Sequence, residues 1–239
     1  MDRDNSFLEA SPQRFRGFVV GQPLEICPIT QELIAEVSGS TQAGLSSLQV
    51  LDLHLRDERK GKIRKIENMA LVPGLRQLNL SYNAITRIEG LGRLHLLVEL
   101  NLAENAVRHI DGLASLSALE RLNLSGNQIQ RIPESISTLR KLTHLRIARN
   151  DLDVVADLSH LSQLPSLASL RLDENPFSAP HTQLFAIYSV RSLSSLDGET
   201  VTPEARAAAK RRFAHASSLP ELRGRLEQET QALRQMRTE

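Results

Sequence analysis

The chain has 239 residues, of which 41% are hydrophobic and 3% aromatic, and its 29 basic residues nearly balance its 28 acidic ones. Nucleic acid is an unlikely partner on this composition, because tryptophan is absent and few aromatic side chains are present on which bases could stack. The small net charge of the whole chain hides an uneven distribution of charge along it. Residues 1–55, 56–150, 151–200 and 201–239 carry net charges of −4, +7, −5 and +3.

The cysteine content and the N-terminus indicate a compartment. Cys27 is the only cysteine, so an intrachain disulfide is excluded and a reducing environment is expected. The first residues lack the basic segment followed by an apolar segment that marks a secretory signal, and no apolar run approaches the roughly 18 residues of a membrane span. We therefore expect a cytoplasmic protein without membrane contact.

The N-terminal part of the chain reads as an arm followed by a cap. Residues 1–27 are polar and irregular except at Phe15 to Val20, which predict a short strand that either docks on the first repeat or binds a partner. Thr30 is a suitable N-cap for a helix from Gln31 to Val37, and we expect residues 28–47 to cap the repeats. The apolar residues expected on one helix face are Leu33, Ile34 and Val37.

From residue 48 to residue 175 one leucine pattern returns along the chain. Its regular units start at Leu75, Leu97, Leu119, Leu142 and Leu167, so successive starts are 22, 22, 23 and 25 residues apart. Within a unit, the spacing Leu-x-x-Leu-x-Leu predicts a short strand whose leucines point inward. A helical or 3₁₀ turn closes each unit, so the strands should stack as a parallel sheet on the concave side of a right-handed α/β solenoid.

One asparagine follows each predicted strand at the same position of the repeat. An amide both donates and accepts, so a stack of amides can satisfy the backbone groups freed where the strands end. We expect a purely structural ladder of Asn83, Asn105, Asn127, Asn150 and Asn175.

The first repeat and the C-terminal region depart from this period. About five extra residues separate Leu53 from Ile63, which predicts a protruding charged loop. Residues 176–201 are expected to form a helix-plus-strand cap, and Thr202 to start a helix running through Phe213. The rest of residues 202–239 carries a heptad seam that is either the start of a coiled coil or a frayed tail. The seam consists of Leu219, Leu222, Leu226, Glu229, Leu233 and Met236.

These motifs resemble a known class of repeat. Leu75 to Asn175 is similar to the 22-residue cytosolic leucine-rich repeats, a class that includes a protein phosphatase 1 regulatory subunit, an axonemal dynein light chain and ciliary proteins. Residues 176–198 look like the cap that ends many members. Over residues 29–213, including the interrupted first repeat, the chain also resembles the N-terminal region of a centrosomal coiled-coil protein. The resemblance implies a scaffold that docks a protein partner at a ciliary, axonemal or centrosomal microtubule structure.

Catalysis is not predicted from the residues themselves. The seven histidines are scattered through the chain and Cys27 precedes the first helix, so neither a metal cluster nor a nucleophile–base pair is readable. Gly90-x-Gly92 lies inside a repeat rather than between a long strand and a long helix, which argues against a phosphate loop. We predict a protein that is not an enzyme and needs no cofactor, metal or small-molecule substrate.

The concave face is the first candidate binding surface. Residues between the buried leucines face outward there, and their charge changes from acidic to basic along the repeats. Such a face can orient an acidic ligand, although an ordinary solvated surface fits the same pattern. The candidate residues are Gln77, Asn79, Tyr82, Glu99, Glu104, Arg121, His144, Arg146, Arg149 and Arg171.

A basic flank is the second candidate. A basic residue precedes the second buried isoleucine of several repeats, and the inserted loop adds further positive charge. An acidic surface such as a tubulin tail would fit this flank, and a merely solubilising charged face is the alternative. The basic flank consists of Arg59, Lys60, Lys62, Lys65, Arg87, His109 and Arg131.

A second function fits the resemblance as well. A leucine-rich relative regulates protein phosphatase 1, and a phosphatase-regulatory subunit would hold the catalytic subunit on its concave face. The groove of that relative is rich in acidic and aromatic residues, whereas the predicted rows here hold arginine and asparagine. Tyr82 is the one aromatic residue expected there. Docking of an axonemal or centrosomal protein, tubulin included, is therefore the preferred hypothesis.

Overall fold

The computed structural model describes residues 27–54, 61–177 and 181–213, together with residues 221, 222, 224 and 228. Three expectations lie outside these residues. They are the strand at Phe15 to Val20, the inserted loop at residues 55–60, and most of the heptad segment after Phe213.

Short strands of the described residues form one eight-stranded sheet whose order follows the chain. Strands β1 to β7 are parallel, and β8 pairs antiparallel with β7. The pairing joins equivalent repeat positions, such as Leu78 with Leu100 and Leu100 with Leu122. The predicted open α/β solenoid is thereby confirmed. The strands are β1 (Val50–Asp52), β2 (Gln77–Asn79), β3 (Glu99–Asn101), β4 (Arg121–Asn123), β5 (His144–Arg146), β6 (Ser169–Arg171), β7 (Ser195–Leu196) and β8 (Glu199–Thr200).

One continuous apolar core runs between the sheet and the turns behind it. In the second repeat Leu78, Leu80 and Ile85 have no exposed surface. Burying one such side chain stabilises the fold by about 1.5–3 kcal/mol, which a repeat obtains only when its neighbours cover it. Short 3₁₀ helices close the back at Gln42–Ser47, Met69–Leu71, Glu134–Thr138 and Val155–Gln163.

Each asparagine of the ladder, which follows a strand, bonds to the backbone of two repeats. Asn127 Oδ1 accepts from Val107 N at 2.9 Å, and its Nδ2 donates to Leu102 O and Leu124 O, both at 2.9 Å. Asn83, Asn105, Asn150 and Asn175 repeat this arrangement.

An aspartate directly after β7 also bonds to the backbone of the preceding repeat, a contact that the sequence analysis did not predict. Asp197 Oδ1 accepts from Leu172 N at 2.6 Å and from Asp173 N at 3.1 Å. A carboxylate can only accept, so Asp197 serves the preceding repeat without donating to a carbonyl.

The N-terminal helix α1 spans Gln31–Ser38. Thr30 Oγ1 accepts from Leu33 N at 3.1 Å, which is the predicted cap, and Gly39 ends the helix with a φ of 64°. Ile34 is fully buried, but Val37 remains 44% exposed. The expectation that Val37 shares the buried face is therefore wrong, because the helix packs on the first repeat through Ile34 and the neighbouring Leu33.

Two helices follow the last full repeat, α2 (Thr182–Ser189) and α3 (Pro203–Phe213). They pack against each other, with the Phe213 ring centroid 5.6 Å from that of Phe185 and 5.3 Å from that of Tyr188. Thr202 Oγ1 accepts from Ala205 N at 3.2 Å and begins α3 as expected. This aromatic cluster covers apolar surface at the C-terminal end of the described repeats.

Candidate protein-interaction surfaces

Strand pairing aligns the predicted concave residues in two rows. Neighbouring members of a row are separated by about one strand spacing, roughly 5 Å. The first row is Gln77, Glu99, Arg121, His144 and Ser169, and the second is Asn79, Asn101, Asn123, Arg146 and Arg171.

Two residues expected to face a partner are in fact buried. Asn79 is 8% exposed and Glu99 is 5% exposed. The Asn79 Oδ1 turns back along its own chain and accepts from Ser81 N at 3.1 Å and Ser81 Oγ at 2.8 Å. The asparagines of the second row thus shape the strand ends, and their amides offer little surface to a ligand.

Two of the arginines predicted to meet an acidic ligand pair with acids of the domain itself. Arg121 Nε donates to Glu99 Oε1. Arg149 Nη2 donates to Glu104 Oε1 at 2.5 Å. Each of these two acids pairs with an arginine further along the solenoid. The concave face therefore lacks the separate acidic half that we expected.

The second pair crosses a repeat, and a glycine makes the crossing possible. Glu104, Gly126 and Arg149 occupy equivalent positions on three successive repeats and have φ values of 56°, 69° and 52°. A Cβ at Gly126 would overlap the Glu104 carboxylate on its way to Arg149. Tyr82 has the same backbone conformation, with a φ of 60°. Burial, followed by the nearby Glu104 carboxylate, raises the pKa of the Tyr82 hydroxyl.

Positive charge concentrates on β5 and β6. His144 and Arg146 are half-buried there, and Arg171 is exposed, with no carboxylate partner among the described residues. Burial, then the charges of Arg121 and Arg146, lower the pKa of His144. The positions of Arg146 and Arg171 on adjacent strands favour a negatively charged group at this end of the concave face. We call His144, Arg146 and Arg171 the basic end.

On the flank, Arg131 has a structural role. Its Nε donates to Asp157 Oδ2 at 2.6 Å and its Nη2 to Asp157 Oδ1 at 2.9 Å. Asp157 is only 2% exposed, and its Oδ2 also accepts from Ile132 N at 3.2 Å. A buried carboxylate is costly without its cation. Arg131 is therefore committed to Asp157 and is not the free member of a basic stripe that we expected.

The other flank residues fall into two groups. Lys65, Arg87 and His109 are exposed at equivalent positions of three repeats, while Lys62 is half-buried. Arg59 and Lys60 lie outside the described residues.

The described part of the chain offers neither a metal-ion site nor a membrane-spanning helix. It contains no group of three or more His, Cys, Asp or Glu side chains arranged to hold a metal ion. None of its helices combines the length and the apolar character that crossing a bilayer requires.

Comparison with known proteins identifies the repeat. Residues 75–221, more than half of the chain, match the family model described as "Leucine-rich repeat". The chain belongs to the leucine-rich repeat family. This leucine-rich repeat chain is 46% identical over 212 residues to centriolin of Mus musculus, covering 88% of the chain and 9% of centriolin. It thus spans about a tenth of that relative's length.

Solved structures share the fold of this leucine-rich repeat chain. A leucine-rich repeat protein of Leptospira interrogans superposes with a TM-score of 0.55 at 26% identity, covering 62% of this chain and 36% of that one. The SNF/U2A' complex of Drosophila melanogaster gives a TM-score of 0.52 at 23% identity, covering 82% of this chain and 97% of that one. Members of the family typically act as protein–protein interaction modules rather than enzymes.

Proposed function

We propose that this leucine-rich repeat domain binds an acidic segment of a partner protein at its basic end and so positions that partner at the centrosome. The observation that carries the proposal is the cluster of His144, Arg146 and Arg171 on two adjacent strands. Strands held in register by their neighbours present these side chains on a rigid backbone, which reduces the ordering cost of binding.

The choice of an acidic partner follows from the local charges. Glu99 and Glu104 pair with Arg121 and Arg149, and Arg171 forms no ion pair within the described residues. A carboxylate near His144 would oppose the field of Arg121 and Arg146, and it would raise the imidazole pKa that these arginines lower. Complementary charge of this kind steers association and fixes orientation more than it adds affinity.

The proposed centrosomal location rests on the similarity to centriolin. Identity of 46% across most of the chain supports a role like that of the corresponding part of centriolin, a centrosomal protein. This proposal is narrower than the sequence expectation, which also included cilia and axonemes. Tubulin remains one candidate partner among the acidic proteins of a microtubule structure.

Localisation of a tagged chain in cultured cells tests both parts of the proposal. The variant Arg146→Glu with Arg171→Glu reverses the basic end, and Arg76→Glu with Arg191→Glu makes the same charge change at two exposed positions elsewhere. We expect the unmodified chain and the control to concentrate at centrosomes, and the basic-end variant to become diffuse. Circular dichroism should show that all three retain their fold.

Each failure has a distinct meaning. A diffuse unmodified chain would contradict the centrosomal location. Centrosomal enrichment of the basic-end variant equal to that of the unmodified chain would contradict docking through Arg146 and Arg171. Recovery of a phosphatase catalytic subunit with the unmodified chain, and its loss with the basic-end variant, would instead favour a phosphatase-regulatory subunit.

A further inference from the structure

A second cluster of cations lies on the edge of the solenoid, away from the concave rows. It occupies equivalent segments of three successive repeats, which follow the insertion in the first repeat and Asn83 and Asn105 in the next two. All of its members are exposed. We call it the cation array; its cations are Arg64, Lys65, Arg87 and Arg108, and His109 lies beside them.

The backbone beneath the cation array is firmly held. Its residues lie between two buried side chains in each repeat, namely Ile63 and Ile66, Ile85 and Ile88, and Val107 and Ile110. Backbone bonds tie neighbouring repeats at the start of each segment, from Ala84 N to Ile63 O and from Ala106 N to Ile85 O, both at 2.9 Å. The array positions are therefore fixed about one strand spacing, roughly 5 Å, apart before any partner arrives.

The repeats also touch closely just beyond the array. Gly112 has a φ of 68°, and a Cβ there would overlap Ile88 O. Gly90 makes the same approach to Ile66 O, with a φ of 74°. Both glycines allow successive repeats to pack backbone against backbone at this edge, which keeps the cations in line.

The arginines and the lysine of the array form no ion pair with the acids that lie next to them in the described residues. Within the described residues, Arg64, Lys65 and Arg87 form no ion pair. Arg108 Nε donates to the neutral Gln128 Oε1 at 3.1 Å. A column of acids stands beside the array without pairing with it: Glu67, Glu89 and Asp111.

We propose that the cation array is a second docking surface, independent of the basic end, for an extended acidic stretch of polypeptide. A single extended chain is narrow enough to follow the cations and avoid the neighbouring acid column. Three repeats span about 10 Å, the length of roughly three extended residues, so a run of three or four glutamates or aspartates covers the array. A bulky duplex would press against the acid column, and single-stranded nucleic acid would find no aromatic side chain in the array to stack on.

Fluorescence anisotropy with a labelled decaglutamate peptide at low salt tests this docking surface. The array variant carries Arg64→Glu, Lys65→Glu, Arg87→Glu and Arg108→Glu. Its matched control reverses four exposed cations outside the array: Arg76→Glu, Arg93→Glu, Lys141→Glu and Arg191→Glu. We expect the array variant to lose about tenfold or more in affinity and the control less than about threefold. Because decaglutamate can also bind the basic end, all of these proteins carry Arg146→Glu and Arg171→Glu as well, so that the measured affinity reports the cation array alone.

Several results would overturn the proposal. Equal losses in the array variant and its control would show that only net charge matters. An unchanged affinity in the array variant would place the peptide elsewhere. Binding of a labelled thymidine decamer about tenfold tighter than decaglutamate would identify nucleic acid as the ligand. If the array variant does not fold, glutamine at the same four positions should still weaken binding about threefold or more.

Discussion

His144 shows how neighbouring charges set the behaviour of one side chain. It lies on β5 beside Arg146 and next to Arg121 on β4, and its Nδ1 is 2.8 Å from Thr143 Oγ1. Burial and the two arginines favour the neutral imidazole. The basic end therefore owes its charge near neutral pH to the arginines, and His144 adds charge only when the pH falls or an acidic group approaches.

This environment predicts a pH dependence of stability. The folded-state pKa of His144 lies below its ordinary value of 6.5, so the unfolded chain binds more protons as the pH falls below that value. The free energy of unfolding should therefore decrease as the pH drops from about 7 toward 5. In His144→Gln this decrease should be smaller, which urea denaturation at several pH values can measure. Parallel pH profiles for the two proteins would contradict the assignment.

The ion pairs between side chains on these surfaces could not be predicted from the sequence. Row membership follows from the repeat period, but the period does not tell whether Glu99 turns toward Arg121 or toward a ligand. Asp157 has an equivalent acid in the preceding unit, the exposed Glu134, so the repeat period gave no sign that Asp157 would be buried against Arg131. The sequence offered one signal of this pair: Asp157 stands between the apolar Ala156 and Leu158. An acid buried in an apolar run usually has a cationic partner.

At the scale of the elements, the strands, helices and caps were predicted from the sequence more completely than the side-chain pairs. Strand positions, the bonds expected at Thr30 and Thr202, and the extent of α3 follow from short-range rules that later packing did not override. Asp197 was missed because it lies directly after β7, outside the repeat position of the asparagines, where no bond to the preceding repeat was expected. Val37 was misassigned because helical spacing alone does not fix which edge of a helix meets the core.

Two glycines in adjacent repeats should respond oppositely to alanine. In Gly112→Ala the new Cβ would overlap Ile88 O, and the φ of 68° disfavours any side chain. Combining the costs of overpacking and of a left-handed backbone, we expect a loss of about 2–4 kcal/mol. Gly92→Ala has open space around it and should be neutral or stabilising by up to about 1 kcal/mol.

Urea denaturation of the two single variants measures both effects. The comparison separates the close approach of repeats from the general loss of chain entropy that any glycine substitution brings. Equal effects at the two positions would show that the contact between Gly112 and Ile88 does not hold the repeats together.

At the scale of the whole molecule, an open solenoid depends on the covers at its ends. Phe213, 4% exposed, joins Phe185 and Tyr188 in the C-terminal cluster. Truncation in Phe213→Ala should cost about 3–5 kcal/mol and lower the midpoint of thermal unfolding. Arg211→Ala, at an exposed position of the same helix, should change stability by less than about 0.5 kcal/mol.

Circular dichroism during heating checks this prediction. A single shifted transition would show that the repeats unfold together when the C-terminal cluster is weakened. A change of less than about 1 kcal/mol in Phe213→Ala would mean that the aromatic cluster is dispensable for the repeats.

The ion pair between Glu104 and Arg149 also limits how this domain can change in length. Arrays of this kind grow and shrink by duplication or loss of whole units, and most of their contacts join nearest neighbours. Here one carboxylate passes over Gly126 to reach the second repeat along. A duplicated unit inserted between them would separate the partners by three strand spacings, about 14 Å, beyond the reach of both side chains. This ion pair therefore joins three repeats into one block, and the insertion of a further unit would break it.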